Sequence, residues 1–399
     1  MALTLEKLMK YDLVEDIESG MRRNEKKMNL FFEFFNIYQQ IQNTDQFIRD
    51  FPAFPGSTDK IRRSELVSSV GATLAIEGTK LTEEEIEASF KKADLNRELE
   101  RKEQEAQNSK NAYYYVIDLV KKHKDKFTYK KEYIKQIHKH LTENIDYGLN
   151  APGRYRDVNP IFGEPPRRSL CETRAQVEAA MSSFVNWLNK EKAGPLSGNI
   201  VAKAIMAHYY LTEIHPFGDG NGRTARTLEA LVLFVNEINP YCFWSLANFW
   251  SANRSEYVVY LGNIRNTCNP WNFLMWGIKG YLKEIQRIKG LVLEKAKQLM
   301  LMDYVRWLHR AKKQQKREKK INQRIVGVLE FLTKTGDMPF DKFLSSPQTT
   351  ALYHERSEPT RYRDFEKMNK LGLIHIFEED NTKYIGPNYQ LLNYLAFNV

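Results

Sequence analysis

Between Ile214 and Arg226 the chain reads I-H-P-F-G-D-G-N-G-R-T-A-R. One imidazole, one carboxylate, one carboxamide, three glycines and two guanidinium groups stand in thirteen residues. Glycine lacks a Cβ and tolerates positive φ, so such a run lets backbone N–H groups approach a ligand closely. Pro216 removes a donor and disfavours helical backbone at His215, which is therefore expected where a helix gives way to a loop. After Gly222 the sequence R-T-A-R-T-L-E-A-L-V-L-F turns helical in period, with Leu228, Leu231, Val232 and Val235 on one face. The loop thus feeds a helix N-terminus, whose unpaired N–H groups and partial positive charge suit an anion. Arg223 and Arg226 are three apart on that helix and project to one side, each with a planar fork matched to phosphate oxygens. Asp219 offers a hard oxygen of the kind that helps hold Mg²⁺ beside a nucleotide's phosphates. His215 titrates in the range suited to taking a proton from a hydroxyl near neutral pH. A Gly/Asp/Asn-rich stretch between helices is often just a turn, and a single histidine is commonly structural. A base, an acid and two arginines at these spacings point instead to phosphoryl or nucleotidyl transfer.

His215-Pro216-Phe217-Gly218-Asp219-Gly220-Asn221-Gly222-Arg223, followed by Arg226, resembles the H-x-F-x-D/E-G-N-G-R-x-x-R signature of Fic-domain proteins, and no position departs from it. The resemblance implies a mainly α fold: an all-helical Fic core with a small β-hairpin flap. It also implies transfer of AMP from ATP to a protein hydroxyl. By position, His215 would be the general base and Phe217 would anchor the loop in the core. Asp219 would hold Mg²⁺. Gly220, Asn221 and Gly222 would form an anion hole for the α- and β-phosphates, in a nucleotide-binding loop that includes Gly218. Arg223 would contact the β- and γ-phosphates and Arg226 the γ-phosphate. Tyr257 and Leu261, in N-R-S-E-Y-V-V-Y-L, resemble the family's adenine-pocket helix with its Y-Y-x-x-L pattern; Val258 departs from it.

A second acid is placed far upstream. Val67, Val70 and Leu74 fit one helical face, Gly78 follows Glu77 as a C-cap, and Thr82-x-x-Glu85 reads as a capping box. Read by position alone, Glu77 is a solvated acid at a helix end. Thr73-Leu-Ala-Ile-Glu77-Gly78 resembles the inhibitory motif S/T-x-x-x-E-G/N of Fic proteins, placed N-terminal to the core as in the subclass that carries its own inhibitory helix. Glu77 would pair with Arg226 and occupy the arginine that the γ-phosphate needs.

The elements that must position these groups follow in order. Residues 1 to about 55 read as helical and aromatic-rich, and residues 85–148 as helical and charged. His138 and His140, two apart, face different sides of a helix and read as structural. Residues 149–174 are rich in Pro and Gly, and Val158 to Phe162 are expected in a short hairpin arm. In Fic proteins a flap lies here and aligns the target segment by strand addition; Gly153, Tyr155 and Arg156 match its lead-in loosely. Residues 175–190 and Asn199 to Ile214 read as helices, with His208 packing or capping. Asn269-Pro270-Trp271 marks the start of the last core helix. A basic run, Arg310, Lys312, Lys313, Lys316, Arg317, Lys319, Lys320 and Arg324, reads as a solvated helix face. Beyond it, helices over Ile325–Leu332, Pro339–Leu344 and Glu358–Leu371 precede a hairpin turning at Asp380-Asn381, a pattern that resembles a winged helix with Thr360, Arg361, Arg363 and Lys367 exposed. The expected organisation is an N-terminal helical region (1–110), a Fic core (111–290), a basic linker (291–324) and a winged-helix-like domain (325–399).

With 399 residues, 42% hydrophobic content and a net charge of +10, the chain can bury several cores and permits anionic partners. Cys171, Cys242 and Cys268 lack metal-ligand or C-x-x-C spacing, which points to a reducing compartment. No apolar run reaches the roughly 18 residues of a membrane span, so a soluble cytoplasmic protein without membrane contact is expected. The reading that results is an autoinhibited, ATP- and Mg²⁺-dependent protein adenylyltransferase acting on an unknown protein substrate. Self-modification, a homodimer and DNA at the C-terminal domain stay open as partners. Removal of AMP from a modified protein, and a nucleotide-sensing DNA-binding regulator, are the alternatives.

Overall fold

The structure, a computed structural model, describes residues 25–51, 57–95, 97–123, 126–146, 148–163, 166–190, 199–239, 246–267, 270–310 and 323–392. The chain divides into two compact units, residues 1–289 and 290–399. The expected N-terminal region and core both fall in the first unit.

In the first unit the helices are α1 (Glu25–Asp50), α2 (Ser57–Ile76), α3 (Glu83–Asp94), α4 (Arg101–Lys122), α5 (Lys131–Thr142), α6 (Arg174–Asn189), α7 (Ile200–Ile214), α8 (Asn221–Val235), α9 (Ala247–Ala252) and α10 (Arg254–Thr267). A further helix, α11 (Trp271–Arg310), has residues in both units. The sequence marks several of the starts. Thr82 accepts from Glu85 N while the Glu85 carboxylate accepts from Thr82 N at 2.8 Å, a reciprocal capping box. Thr173 and Gln176 form the same box at α6, and Asn199 caps α7 through Ala202 N at 2.9 Å.

α7 and α8 are the centre of this unit. Every residue of α7 from Ala204 to Ile214 is buried, as is α8 from Arg223 to Phe234, the mark of helices covered on all sides. They pack on each other, α8 also on α2, α4 and α5, and α7 on α6. α2 is fixed by Glu65, whose carboxylate takes both terminal nitrogens of Arg287 at 2.8 and 2.5 Å. The hairpin is smaller than the Val158–Phe162 expectation: β1 (Ile161–Phe162) pairs antiparallel with β2 (Arg167–Arg168). Pro160, which has no N–H to give a ladder, stands just ahead of β1.

The second unit contains α12 (Gln323–Thr335), β3 (Met338–Pro339), α13 (Phe340–Ser345), α14 (Pro347–Tyr353), α15 (Glu358–Lys370), β4 (Ile374–Glu379) and β5 (Thr382–Pro387). The strands form one antiparallel sheet in the order β3-β5-β4, and the β4–β5 hairpin turns at Asp380 and Asn381, both with positive φ. Leu329, Phe343, Phe365, Ile374 and Ile385 meet in its core. α14 is additional to the three expected helices. Its signal in the sequence is Ser346-Pro347, a cap accepting from Thr349 N followed by proline at the first helical position. The basic run from Lys312 to Lys320, Cys242, Cys268 and Asn269 lie outside the described residues. Among the described residues, no helix is long and apolar enough to cross a membrane.

Candidate active site

The loop joining α7 to α8 is bent at both ends by left-handed residues. His215, the C-cap of α7, has φ 49° and ψ 59°, and Gly220, the N-cap of α8, has φ 71°. Pro216 excludes helical backbone at His215, and Gly220 accepts positive φ without strain. Phe217 is fully buried and stacks on the His138 ring at 3.7 Å. Asn221 does not point outward: its side chain accepts from Phe217 N at 2.9 Å and donates to Phe217 O at 2.8 Å. That brace closes the loop, and among the described residues no side chain caps the N-terminus of α8. At Gly218 a Cβ would run into the Leu149 carbonyl, so glycine is needed there for close approach.

His138, read from sequence as structural, is a strut for this loop. Its Nδ1 accepts from Gly153 N–H at 3.0 Å, so its Nε2 carries the hydrogen and donates to the Asp219 carbonyl at 2.9 Å. Burial pushes its pKa down to about 4, with Arg223 assisting and the Asp219 hydrogen bond opposing, so it is neutral. Arg156, 5% exposed, is a second strut. It donates to the carbonyls of His215 and Cys171, both at 2.6 Å, and its backbone N–H donates to Pro216 O at 2.9 Å. Ser169 donates to Ile214 O at 2.6 Å, and Arg167 of β2 pairs with Glu213 at 2.9 Å. The flap is thereby pinned to the end of α7.

His215 Nδ1 lies 3.2 Å from the Thr212 carbonyl, which can only accept. The hydrogen is therefore on Nδ1 and the Nε2 lone pair is left for a proton. Phe162 of β1 stacks on the imidazole at 3.7 Å and 9°. Burial, helped by the charges of Arg156 and Arg167 and opposed by Thr212 and Glu77, pushes the His215 pKa down to about 3, well below the near-neutral range expected of the residue type from sequence.

Arg223 donates to Asp219 at 3.1 Å, while its Nε and Nη1, both buried, have no hydrogen-bond partner among the described residues. Arg226, 1% exposed, donates through Nε to Thr73 Oγ1 at 2.7 Å and through Nη2 to Thr73 O at 3.2 Å and Glu77 Oε1 at 2.5 Å. Glu77 is held in place by the end of α2. Gly78, with φ 97°, donates to Ala75 O at 3.1 Å and Thr79 N donates to Leu74 O at 3.0 Å, a Schellman ending. Crowding by protein atoms alone would raise the Glu77 pKa. The Arg226 charge and hydrogen bond, then Arg223 and His215, outweigh it and hold the carboxyl below its usual range. A Cβ on Gly222 would collide with Glu77 Oε1, so the carboxylate sits over the first turn of α8, where an anion is favoured. Tyr257 is 4% exposed, with its hydroxyl 2.8 Å from His208 Nε2.

Among the described residues no cluster of three metal-binding side chains occurs. Asp219, one third exposed, is a lone carboxylate. That donor set fits Mg²⁺ brought with phosphates and water, not a metal caged by protein.

An uncapped helix end, a neutral histidine and two buried arginines thus converge on one loop of a helical core. Residues 128–233 match the model of the Fic/DOC family. The fold is shared with a Fic family protein from Desulfovibrio desulfuricans G20 (TM-score 0.53, 16% identity, 88% of this chain and 95% of that chain). It is shared also with Fic-1 from C. elegans (TM-score 0.52, 22% identity, 66% of this chain and 74% of that chain). In sequence, the chain is 34% identical over 125 residues to a probable protein adenylyltransferase of Aquifex aeolicus, covering 30% of this chain and 33% of that protein. It is 31% identical over 134 residues to the protein adenylyltransferase fic-1 of Caenorhabditis elegans (33% and 24%). It is 54% identical over 78 residues to the protein adenylyltransferase Fic of Culex quinquefasciatus (18% and 15%). The matches thus span a third or less of these relatives' length.

Proposed function

We propose that this protein transfers AMP from ATP to a hydroxyl side chain of a target protein, and that Glu77 holds the transfer in check. The observation that carries the reading is the Glu77 carboxylate on Arg226 over the uncapped start of α8, beside two unpartnered buried donors of Arg223. An anion already stands where phosphates would, and donors for more are in place.

The chemistry follows from the tautomer of His215. Its Nε2 takes the proton of the target hydroxyl as that oxygen attacks the α-phosphorus in line. The new P–O bond forms, the bond to the bridging oxygen of the β-phosphate breaks, and pyrophosphate leaves. Arg223, Arg226 and the backbone N–H groups of Gly220, Asn221 and Gly222 would meet the charge; most of the rate comes from positioning and charge neutralisation. Asp219 would hold Mg²⁺, which when bound supplies neutralisation of the phosphate charge. β1, with Ile161 exposed, offers a strand edge to the target segment. With Glu77 on Arg226, the triphosphate lacks one of its arginines and is held out of line.

Residues 325–399 are read as a winged helix, with α15 as the recognition element and β4–β5 as the wing; a salt-dependent gel shift tests DNA as its partner.

The enzymatic reading is tested with labelled ATP and a mixture of candidate targets, using Glu77→Gly protein. Label from the α-phosphate is expected on protein, and to be lost with His215→Ala. Label from the γ-phosphate on protein would replace this reading with kinase-like chemistry.

A further inference from the structure

The flap meets His215 with one side only. β1 and β2 set Phe162 directly opposite Arg167 and Ile161 opposite Arg168, and residues directly opposite share a face of the ribbon. Ile161 and Arg168 are exposed, so that pair looks outward. Phe162 lies flat on the His215 imidazole at 3.7 Å, and the Arg167 guanidinium is 5.2 Å from the centre of the Phe162 ring, close enough for a cation–π contact. Arg167 Nη2 donates to Glu213 Oε1 at 2.9 Å, with 14% and 0% of the two side chains accessible. Glu213 stands two residues before His215, at the end of α7. The contacts therefore close a circuit, from Glu213 to Arg167, across the hairpin to Phe162, and back to His215.

Docking of the flap does not require this pair. Arg156 donates to the carbonyls of Val158, Cys171 and His215, and Ser169 Oγ lies 3.1 Å from Glu213 O and 2.6 Å from Ile214 O. Enclosing two charges costs solvation that their attraction scarcely repays, so a buried ion pair is a poor means of adding stability. What the pair adds is direction. The fork of Arg167 on Glu213 sets where β2 lies over the end of α7, and the strand register then sets where the Phe162 ring lies over the imidazole. Among the described residues the other hold on the imidazole is the Thr212 carbonyl, 3.2 Å from Nδ1. A ring held by one hydrogen bond can swing about it, and a base works only from a narrow range of orientations.

We infer that Arg167 and Glu213 are positioning residues that act through Phe162 to hold the His215 imidazole in the orientation from which Nε2 takes the proton. The inference rests on the reading of His215 as the base of AMP transfer.

The test removes both charges together, Arg167→Met with Glu213→Met, so that neither is left alone in the interior. In the Glu77→Gly protein at about pH 8, where histidine is neutral, the double variant is expected to lower kcat roughly ten- to a hundredfold and to bind a non-hydrolysable ATP analogue within a few-fold of the parent. Arg167→Lys keeps the ion pair and is expected to recover most of the rate. Combined with Phe162→Ala, the double variant should lose no more than Phe162→Ala does alone, because the pair acts through that ring. Losses that multiply, a kcat equal to the parent's, or an equal loss of nucleotide binding would each overturn the inference. The ring is also read without transfer, by NMR of histidine-labelled protein with the His215 signals assigned from His215→Ala. The charges facing this imidazole are Arg156, Arg167 and Glu77, with Glu213 behind Arg167. Between about pH 8 and 5 the parent signals should stay still, and those of the double variant should titrate as water reaches the ring. Signals that stay still in both proteins would overturn the inference as well. If no variant transfers AMP while the His215 signals respond as stated, the catalytic reading falls and the hold of Arg167 and Glu213 on the ring stands.

Discussion

The Glu77 carboxylate and the Arg226 guanidinium meet at 2.5 Å across 149 residues of chain, the first with 42% of its side chain accessible and the second with 1%. The pair is therefore asymmetric. Arg226 cannot be left without an anion or a dipole to face, while Glu77 is half in water and free to be exchanged. In the proposed reaction an incoming phosphate needs the same arginine, so the two anions would compete for one cation. Screening at the exposed end keeps the contact weak enough to release.

Glu77→Gly is expected to raise AMP transfer at least roughly tenfold, as the γ-phosphate gains an arginine otherwise occupied. The cost in stability is modest, about 1 kcal/mol for a pair screened on one side, because Thr73 still faces Arg226. Adding ATP should recover the lost melting temperature, since ligand bound only by the folded state stabilises it. Transfer no faster than the parent, measured with α-labelled ATP, would remove the inhibitory role.

His215→Ala should lower transfer by about 10²–10⁴, the usual worth of a positioned base, while nucleotide affinity stays within a few-fold of the parent. The separation is expected because the imidazole reaches the loop only through its backbone, which Arg156 holds at 2.6 Å, and the Phe217–Asn221 brace is untouched. Titration calorimetry beside the labelling assay makes the comparison. A parallel loss of binding would mean that the residue shapes the loop instead of moving a proton.

Phe162, stacked on the imidazole, is expected to set the working pH of His215 as the proposed base. A base acts when deprotonated, so activity falls as pH drops through its pKa. Burial, to which the Phe162 stack contributes, holds that value at about 3, assisted by the charges of Arg156 and Arg167. Phe162→Ala admits water to the imidazole and lets its pKa rise toward the ordinary histidine range near 6.5. In the Glu77→Gly background the variant should lose kcat/KM between about pH 7 and 5, where the parent stays flat. Coincident acid limbs would show that the ring does not control the base.

How much of this was legible in sequence follows from the kind of contact involved. His215, Asp219, Arg223 and Arg226 stand out because side chains of these types suit acid–base and phosphate chemistry, and Glu77-Gly78 because a helix that ends in glycine writes its cap locally. The turn at Asp380-Asn381 was legible for the same reason. His138 and Arg156 were not, because their partners are backbone carbonyls and N–H groups, which every residue carries. The Asp219 carbonyl that His138 meets is 81 residues away and leaves no trace in residue type. The Phe162–His215 stack and the chain from Glu229 through His208 to Tyr257 join side chains on different elements, and no spacing along the sequence records such meetings. α14 escaped because Ser346-Pro347 reads equally well as a turn.

His138 makes the stability of the loop depend on pH. Its pKa is about 4 in the folded protein, where burial disfavours the cation, against about 6.5 in the unfolded chain. Between those values the unfolded state binds the proton and the folded state does not. The contribution is therefore complete above pH 6.5 and is lost as pH falls toward 4, by on the order of 3 kcal/mol. His138→Phe keeps the stack on Phe217 but abandons Gly153 N–H and the Asp219 carbonyl, so it should be less stable than the parent at pH 7.5. Because phenylalanine does not titrate, the difference between the two proteins should shrink as pH is lowered from 6.5 to 4.5. Urea unfolding of both at several pH values reads this directly, with the other titrating groups common to the two. Loss of the tether to Asp219 should also raise the KM for ATP. A stability difference that stays constant with pH would mean that His138 is not held neutral in the fold.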